Sequence, residues 1–341
     1  MKNLRTEKEI IASWDGSVEK PLVSICCTTF NHENYIEEAI VGFLIQETDF
    51  PFEILIRDDC STDNTAQVIR EYVKKYPHII KPIYELENQY SKGVKAMSVV
   101  REHAKGDFLA FCEGDDYWMS EDKLHIQVGL LESMPSVSLC FHPAKIIDAE
   151  GRELAGDYGY YGDKERIQLC SDIIIKGGGY MPMASILMRK QALEELKANA
   201  PSFLVHNMTH FFYQIFGSLS GGALYHPQTM SAYRSMHEGS WSLKVQSDPA
   251  FFMGAAEKYI DSIRSANMIT GLVYNKEFSR RIKRRILVTL NDVTIPVEVR
   301  KDFFNKYSDS LGIGGHVLWN FVFCCKPLHL LILKIKNKCS R

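Results

Sequence analysis

Apolar and polar positions fall into alternating blocks over the first third of the chain. The apolar run at 22–30 enters the polar loop Asn31-His32-Glu33-Asn34 and predicts a first buried strand. Residues 35–46 then carry Ile36, Ala39, Ile40, Phe43 and Leu44 at helical spacing, which predicts an amphipathic helix. A second apolar run at 52–56 ends in Arg57-Asp58-Asp59-Cys60-Ser61-Thr62-Asp63-Asn64-Thr65, where Ser61, Thr62 and Asp63 are suited to cap a helix over 65–75. A third strand at 79–84, the loop 87–93, a helix over about 94–104 and a strand at 108–111 complete the series. Strands alternating with helices predict a parallel sheet covered by helices. In such sheets ligands bind beyond the carboxyl ends of the strands, and Thr28-Thr29-Phe30, Asp58-Asp59 and Glu113-Gly114-Asp115-Asp116 all fall at such ends.

The later pattern is less regular. A helix over 123–134 and a strand at 137–141 are followed by an irregular loop at 149–166, whose Tyr158, Tyr160 and Tyr161 could meet a ligand. Residues 245–312 read as helical, with the run Arg280 to Arg285 as a solvated basic face. Residues 317–334 are strongly apolar but interrupted by Lys326 and Pro327 and followed by Lys336, Lys338 and Arg341. That is too broken to span a bilayer and fits a helix lying in the interface at a membrane surface, anchored by Trp319 and the basic residues. The competing reading is a helix pair packed on the main domain or in the interface of a homo-oligomer. Residues 1–20 read as a polar extension with one short helix, closed by Pro21.

Composition narrows the class. A chain of 341 residues, 45% hydrophobic and 24% charged, is globular and large enough for one big domain with an appendage or for two domains. The formal charge of -2 gives no global attraction to nucleic acid. Nine cysteines without CxxC pairs, including the adjacent Cys26-Cys27 and Cys324-Cys325, suit neither a disulfide framework nor a zinc site, and point to a reducing compartment. The charged N-terminus lacks the apolar core of a signal peptide, so a cytoplasmic start is expected.

The candidate chemistry lies in Cys112-Glu113-Gly114-Asp115-Asp116-Tyr117-Trp118, where Glu113, Asp115 and Asp116 crowd together and repel unless a cation sits among them. Magnesium or manganese carried by a nucleotide commonly takes one or two protein carboxylates and fills its octahedron with phosphates and water. The alternative is an acidic turn bent at Gly114.

Taken together, Pro21-Leu22-Val23-Ser24-Ile25 with Thr28 and Asn31, the run Arg57 to Thr65, and Glu113-Gly114-Asp115-Asp116-Tyr117-Trp118 with Lys123, Leu124 and Gln127 resemble the family 2 glycosyltransferases, whose bacterial members build surface polysaccharides such as lipopolysaccharide. The resemblance covers roughly residues 20–241. It implies an α/β fold of the GT-A type, a Rossmann-like, mostly parallel sheet flanked by helices, here with a C-terminal helical extension. It further implies a nucleotide-sugar donor, UDP-linked, a Mn2+ or Mg2+ ion held by a DXD-type motif, an acceptor hydroxyl on a glycan or lipid-linked glycan, and inversion at the anomeric carbon. The expected organisation is an extension at 1–20, a catalytic domain at 21–242 with a donor half (21–118) and an acceptor half (119–242), and a helical region at 243–341 with a membrane-surface segment at 316–341. The enzyme would then work at the cytoplasmic face of the inner membrane.

By the same resemblance, Thr28 and Phe30 border the base and Asp59 hydrogen-bonds it, while Asp58 is structural. Asp115 meets the ribose, or the metal through water, Asp116 is the direct metal ligand and Glu113 supports them. Lys92 or Lys95 replaces a family arginine, His237 reaches the metal or pyrophosphate, and Arg234 lies near the phosphates or in a structural ion pair. One feature departs from the pattern. The position usually filled by a catalytic carboxylate falls on or near His210, and no Asp or Glu lies between Glu195 and Glu238. An imidazole with a pKa near 6.5 can take a proton at neutral pH, so His210 is the expected general base, with His206 as the competing choice. Two other classes fit less well: a non-catalytic nucleotide-sugar-binding protein that has lost its base, and a nucleotidyltransferase, whose glycine-rich basic loop is missing from Cys27-Thr28-Thr29-Phe30-Asn31.

Overall fold

In the computed structural model of the chain, residues 4–319 are described apart from 201, 204–207, 238–239, 241–242, 244–246 and 293. The chain forms two compact units that divide between Gly239 and Ser240.

The first unit starts with a helix, α1 (Glu7–Ala12), closed by a capping box in which Thr6 accepts from the Glu9 N–H while the Glu9 carboxylate accepts from the Thr6 N–H. Expected as a polar extension, this segment is part of the core. Ile10 is fully buried, Trp14 packs edge-on against Phe52 at 5.1 Å, and the Glu7 carboxylate accepts the N–H groups of His78 and Ile79. The short apolar pattern of Ile10 and Trp14 is too sparse to signal burial by periodicity.

The predicted alternation follows: β1 (Val23–Thr29), α2 (Ile36–Leu44), β2 (Phe52–Asp58), α3 (Thr65–Lys75), β3 (Ile80–Tyr84), α4 (Ala96–His103) and β4 (Phe108–Glu113). Strands β3, β2, β1 and β4 lie side by side and parallel, in register Thr29↔Asp58 and Thr28↔Glu113, so their carboxyl ends share one rim. The apolar stripe of α2 (Ile36, Ala39, Ile40, Phe43, Leu44) is wholly buried on this sheet. Burial of an Ile, Leu or Phe side chain contributes roughly 1.5–3 kcal/mol.

The second half is assembled from shorter pieces. After β5 (Tyr117–Trp118) and α5 (Lys123–Ser133) come β6 (Leu139–Phe141), β7 (Ala144–Ile147), β8 (Glu153–Tyr158) and β9 (Arg166–Gln168). They lead to α6 (Cys170–Lys176), β10 (Leu187–Arg189), α7 (Gln191–Asn199), α8 (His210–Ser218), β11 (Ala223–Tyr225) and β12 (Ser231–Arg234). The large sheet has the order β3-β2-β1-β4-β10-β6-β11-β9 and the small one β5-β12-β7-β8. The irregular loop expected at 149–166 is therefore corrected: β8 and the start of β9 lie within it. As the outer strand of the small sheet, β8 leaves Glu153 to Gly156 exposed and shows no apolar alternation to read.

Residues 123–127 lock α5 in place. Lys123 is fully buried with Nζ 4.0 Å over the Trp118 ring and donates to Gln127 Oε1, while Gln127 Nε2 donates to the Ser185 carbonyl at 2.8 Å. Burial pulls the Lys123 pKa down to about 7.

The second unit contains α9 (Pro249–Ile269), α10 (Asn275–Asn291), α11 (Val297–Tyr307) and α12 (Gly312–Leu318). Trp319, expected as a membrane anchor, is instead buried and stacked on Phe304 at 4.8 Å. The rest of the segment, 320–341, lies outside the described residues. Among the described residues no helix is long and apolar enough to cross a membrane.

Candidate active site

The rim at the ends of β1, β2 and β4 is fixed by side chains that hydrogen-bond backbone. Asn31 stands at φ 55° and Cys60 at φ 64°. Between these turns, Ser61 Oγ accepts the Asn31 N–H, Asn31 Oδ1 accepts the Thr62 N–H, Thr65 Oγ1 accepts the His32 N–H and Asp63 Oδ2 accepts the Glu33 N–H. The expected capping role of Ser61, Thr62 and Asp63 is corrected accordingly: Asn64 is the N-cap of α3 and makes no side-chain cap. Ser61 and Thr62 serve the loop after β1, and Asp63 divides its carboxylate between that loop and the Thr65 N–H. Gly114 lets the acidic loop pass beneath this zipper, since a Cβ there would stand 2.8 Å from Thr29 Oγ1.

The acidic loop separates its carboxylates. Asp115 Oδ2 meets His237 Nε2 at 2.8 Å and lies 3.9 Å from His32 Nε2. Burial raises the Asp115 pKa, but the charge of His32 and the hydrogen bond and charge of His237 outweigh it, so the carboxyl is held below its ordinary range. Asp116 faces inward: it is 2% exposed and Oδ1 accepts the Arg234 N–H at 2.8 Å. Burial, then the charges of Asp115 and Glu113, push its pKa well above the ordinary range. Expected as the direct metal ligand, Asp116 is placed as a tie to β12, while Asp115 faces the histidines.

Glu113 has a partner that its expected supporting role did not include. His210, the first residue of α8, brings Nε2 to 3.3 Å from Glu113 Oε1. Burial lowers the His210 pKa, but the Glu113 charge and hydrogen bond, with the Asp115 charge, outweigh it and hold the ring above its ordinary value. Nearly half of the imidazole remains accessible, so solvent mutes both contributions. His206, the competing base, lies outside the described residues.

The other expected contacts vary in placement. Phe30 is open, at 42% exposure, beside the buried Thr28. Asp59 is buried, and its carboxylate accepts from Arg57 Nη2 at 2.7 Å and from the Gln89 and Tyr90 N–H groups, so here it holds the 89–90 loop. Arg57 Nη1 is a buried donor without an acceptor beside it. Lys92 pairs with Glu87 on an exposed turn, and Lys95 is the cation whose field reaches His210. Arg234, expected near phosphates, is committed to structure: it donates to the carbonyls of Asp115, Asp148 and Ala149, pairs with Glu38 at 2.5 Å and covers the Tyr35 ring at 4.4 Å. Tyr158 and Tyr161 are likewise turned inward, donating to the carbonyls of Met181 and Tyr180, which leaves Tyr160 as the exposed ring of the three. His32 and Tyr35 were not singled out in the sequence. Tyr35 packs edge-on to His237 at 5.1 Å, and His32 follows β1 so closely that its place beyond a strand end was the available signal.

The chain is similar to known proteins in sequence and in fold. The sequence profile of Glycosyl transferase family 2 matches residues 24–196. An uncharacterized protein of Mycobacterium tuberculosis is 33% identical over 220 residues, 64% of this chain and 60% of that protein, so the chain spans less than two thirds of that relative. The Escherichia coli UDP-Glc:alpha-D-GlcNAc-diphosphoundecaprenol beta-1,3-glucosyltransferase is 32% identical over 111 residues, 32% of this chain and 41% of that one. The crystal structure of Staphylococcus aureus TarS with UDP-GlcNAc superposes with a TM-score of 0.61 at 18% identity, covering 84% of this chain and 80% of the other, a likeness of fold.

Proposed function

This chain belongs to glycosyl transferase family 2, and from that premise we propose that it transfers a sugar from a nucleotide-sugar donor to a hydroxyl of a glycan or lipid-linked acceptor, with inversion, in the synthesis of a bacterial surface polysaccharide. The observation that carries this reading is the convergence of Asp115, His237 and His32 with the Glu113–His210 pair beyond the carboxyl ends of β1 and β4. The E. coli relative named above is a UDP-glucose enzyme and TarS is named a poly(ribitol-phosphate) beta-N-acetylglucosaminyltransferase, which favours a UDP-linked donor. Phe30 offers an open ring for the base. The diphosphoundecaprenol acceptor in the relative's name fits work at the cytoplasmic face of the inner membrane.

The donor set suits a divalent metal. Asp115 Oδ2 and His237 Nε2 are 2.8 Å apart, close to the about 3 Å expected between neighbouring ligands of an octahedral Mn2+ or Mg2+. Among the described residues no three His, Cys, Asp or Glu side chains form a metal cage, so donor phosphates and water would supply the remaining positions. When bound, the ion would neutralise charge growing on the leaving diphosphate.

Proton transfer falls to His210. Glu113 engages Nε2 and orients the ring, which leaves Nδ1 to accept the proton of the acceptor hydroxyl. The oxygen bonds the anomeric carbon as the bond to the nucleoside diphosphate breaks on the opposite face, and the proton ends on His210. Incubation with a panel of UDP-sugars, with and without Mn2+, tests the reading. Mn2+-dependent release of UDP from one donor, lost in Asp115→Asn, is expected; tight binding of a donor with no release under any condition would leave a sugar-nucleotide-binding protein instead.

A further inference from the structure

The α9–α10 hairpin of the second unit carries an apolar tip beside a basic face. The two helices bury Phe252, Ala256, Ile260, Ile263 and Ala266 from one and Phe278, Ile282, Ile286 and Leu290 from the other. At the turn, however, Met268 is 68%, Leu272 49% and Val273 76% exposed. The turn is well built. Asn267 O accepts the Leu272 N–H at 3.0 Å, Leu272 O accepts the Asn275 N–H at 3.1 Å, and Asn267 Nδ2 donates to Asn275 Oδ1 at 2.8 Å. Gly271 stands at φ 62° and Leu272 at φ 63°, a left-handed conformation that a bulky residue seldom adopts. Two large aliphatic side chains are thus held outward where a polar turn would be the ordinary choice.

The basic residues of α10 divide by side. Arg281 donates to the Tyr259 hydroxyl at 2.9 Å and Arg285 lies 4.5 Å over the Phe252 ring, so both lean on α9. Lys276, Arg280, Lys283 and Arg284 are exposed, and their three- and four-residue spacing sets them on one face, away from Phe278, Ile282 and Ile286. The ion pairs described in this unit, Arg264–Asp261 and Lys306–Glu257, use none of the four. Glu277 is the one acid in this helix.

We propose that the tip at Met268, Leu272 and Val273, with Lys276, Arg280, Lys283 and Arg284 beside it, docks on an anionic phospholipid surface. The aliphatic side chains enter the boundary between headgroups and acyl chains, and the basic face meets the headgroup phosphates. A protein partner with an apolar pocket would not need four cations on one side, and a nucleic acid would not need the apolar tip. None of these residues has a part in the proposed transfer, so the failure of this assignment leaves the proposed reaction standing.

Flotation of the full chain with vesicles tests the assignment. Binding to mixed phosphatidylcholine–phosphatidylglycerol vesicles, weak with phosphatidylcholine alone and falling as salt rises, is expected. The pair Leu272→Asp and Val273→Asp, and separately the pair Arg280→Glu and Arg284→Glu, should each weaken it by about tenfold or more while Tm and molecular mass in solution stay unchanged. Unchanged vesicle binding in both double variants overturns the proposal. So does a lower Tm or a lower mass in the aspartate variant, which would mean that the tip is covered by the chain's own C-terminal segment or by a second copy.

Discussion

The two halves of the first unit, up to Trp118 and beyond it, position polar groups by different means. Around β1, β2 and β4, long parallel strands bring three loops to one rim, and the loops are stitched by local contacts such as Asn31 Oδ1 to the Thr62 N–H. Beyond Trp118 the strands are three to six residues long, and the key contacts span great sequence distances: Asp116 with Arg234, Asp115 with His237, Glu113 with His210. The first half is a rim fixed by its own loops, the proposed seat of the donor. The second is a set of side chains delivered one at a time onto the acidic loop, so on the proposed reading a substitution there should cost chemistry before it costs fold.

The sharpest break in that comparison comes from His210→Ala. Turnover should fall by roughly 10²–10⁴ while UDP affinity and Tm hold, because the proposed role of the residue is to move a proton and not to seat the donor. Equal losses of turnover and UDP affinity, seen in calorimetric titration beside initial rates, would mean that the two halves are not separable.

Glu113→Gln probes the link between them. A base must be neutral, so turnover should rise as pH passes up through the raised His210 pKa. Removing the Glu113 charge lowers that pKa, and the rise should move to lower pH, with rates up by about tenfold on the acid limb if Gln still orients the ring. Stability has the opposite sign: the pair's contribution is present below the ordinary histidine pKa and is lost as pH rises through the folded value. A pH–rate profile unmoved by the substitution would remove His210 from the base role.

The smallest effect belongs to the seat. Asn31→Ala removes the acceptor for the Thr62 N–H and a residue tolerant of φ 55°, at about 1 kcal/mol, or a Tm lower by roughly 2–4 °C. UDP affinity should fall with it and the pH profile should stay put, which thermal melts beside the titration can establish.

The same contrast accounts for what could be read in the sequence. β1, α2, β2, α3 and β4 were legible because an apolar strand followed by an amphipathic helix is a local pattern. The acidic loop was legible because its charges are adjacent. The parting of Asp115 from Asp116 was not, since it depends on Arg234 and His237, more than a hundred residues away. Ser61 and Thr62 meet the neighbouring loop in place of α3, and Asp63 serves both, because a residue fit to cap its own helix is equally fit to bind a neighbouring loop. β8 was missed because a polar outer strand carries no periodicity, and the inward turn of Tyr158 and Tyr161 because tyrosines beside glycines look alike whether they face solvent or core.

The central claim is that Asp115, with His237, makes the rim a metal-assisted nucleotide-sugar site. Calorimetric titration of UDP into the full chain, with and without Mn2+, for the wild type and Asp115→Asn, tests it most directly. Tight UDP binding that requires Mn2+, lost in Asp115→Asn at unchanged Tm, is the predicted result; UDP binding that is indifferent both to Mn2+ and to the substitution would contradict it.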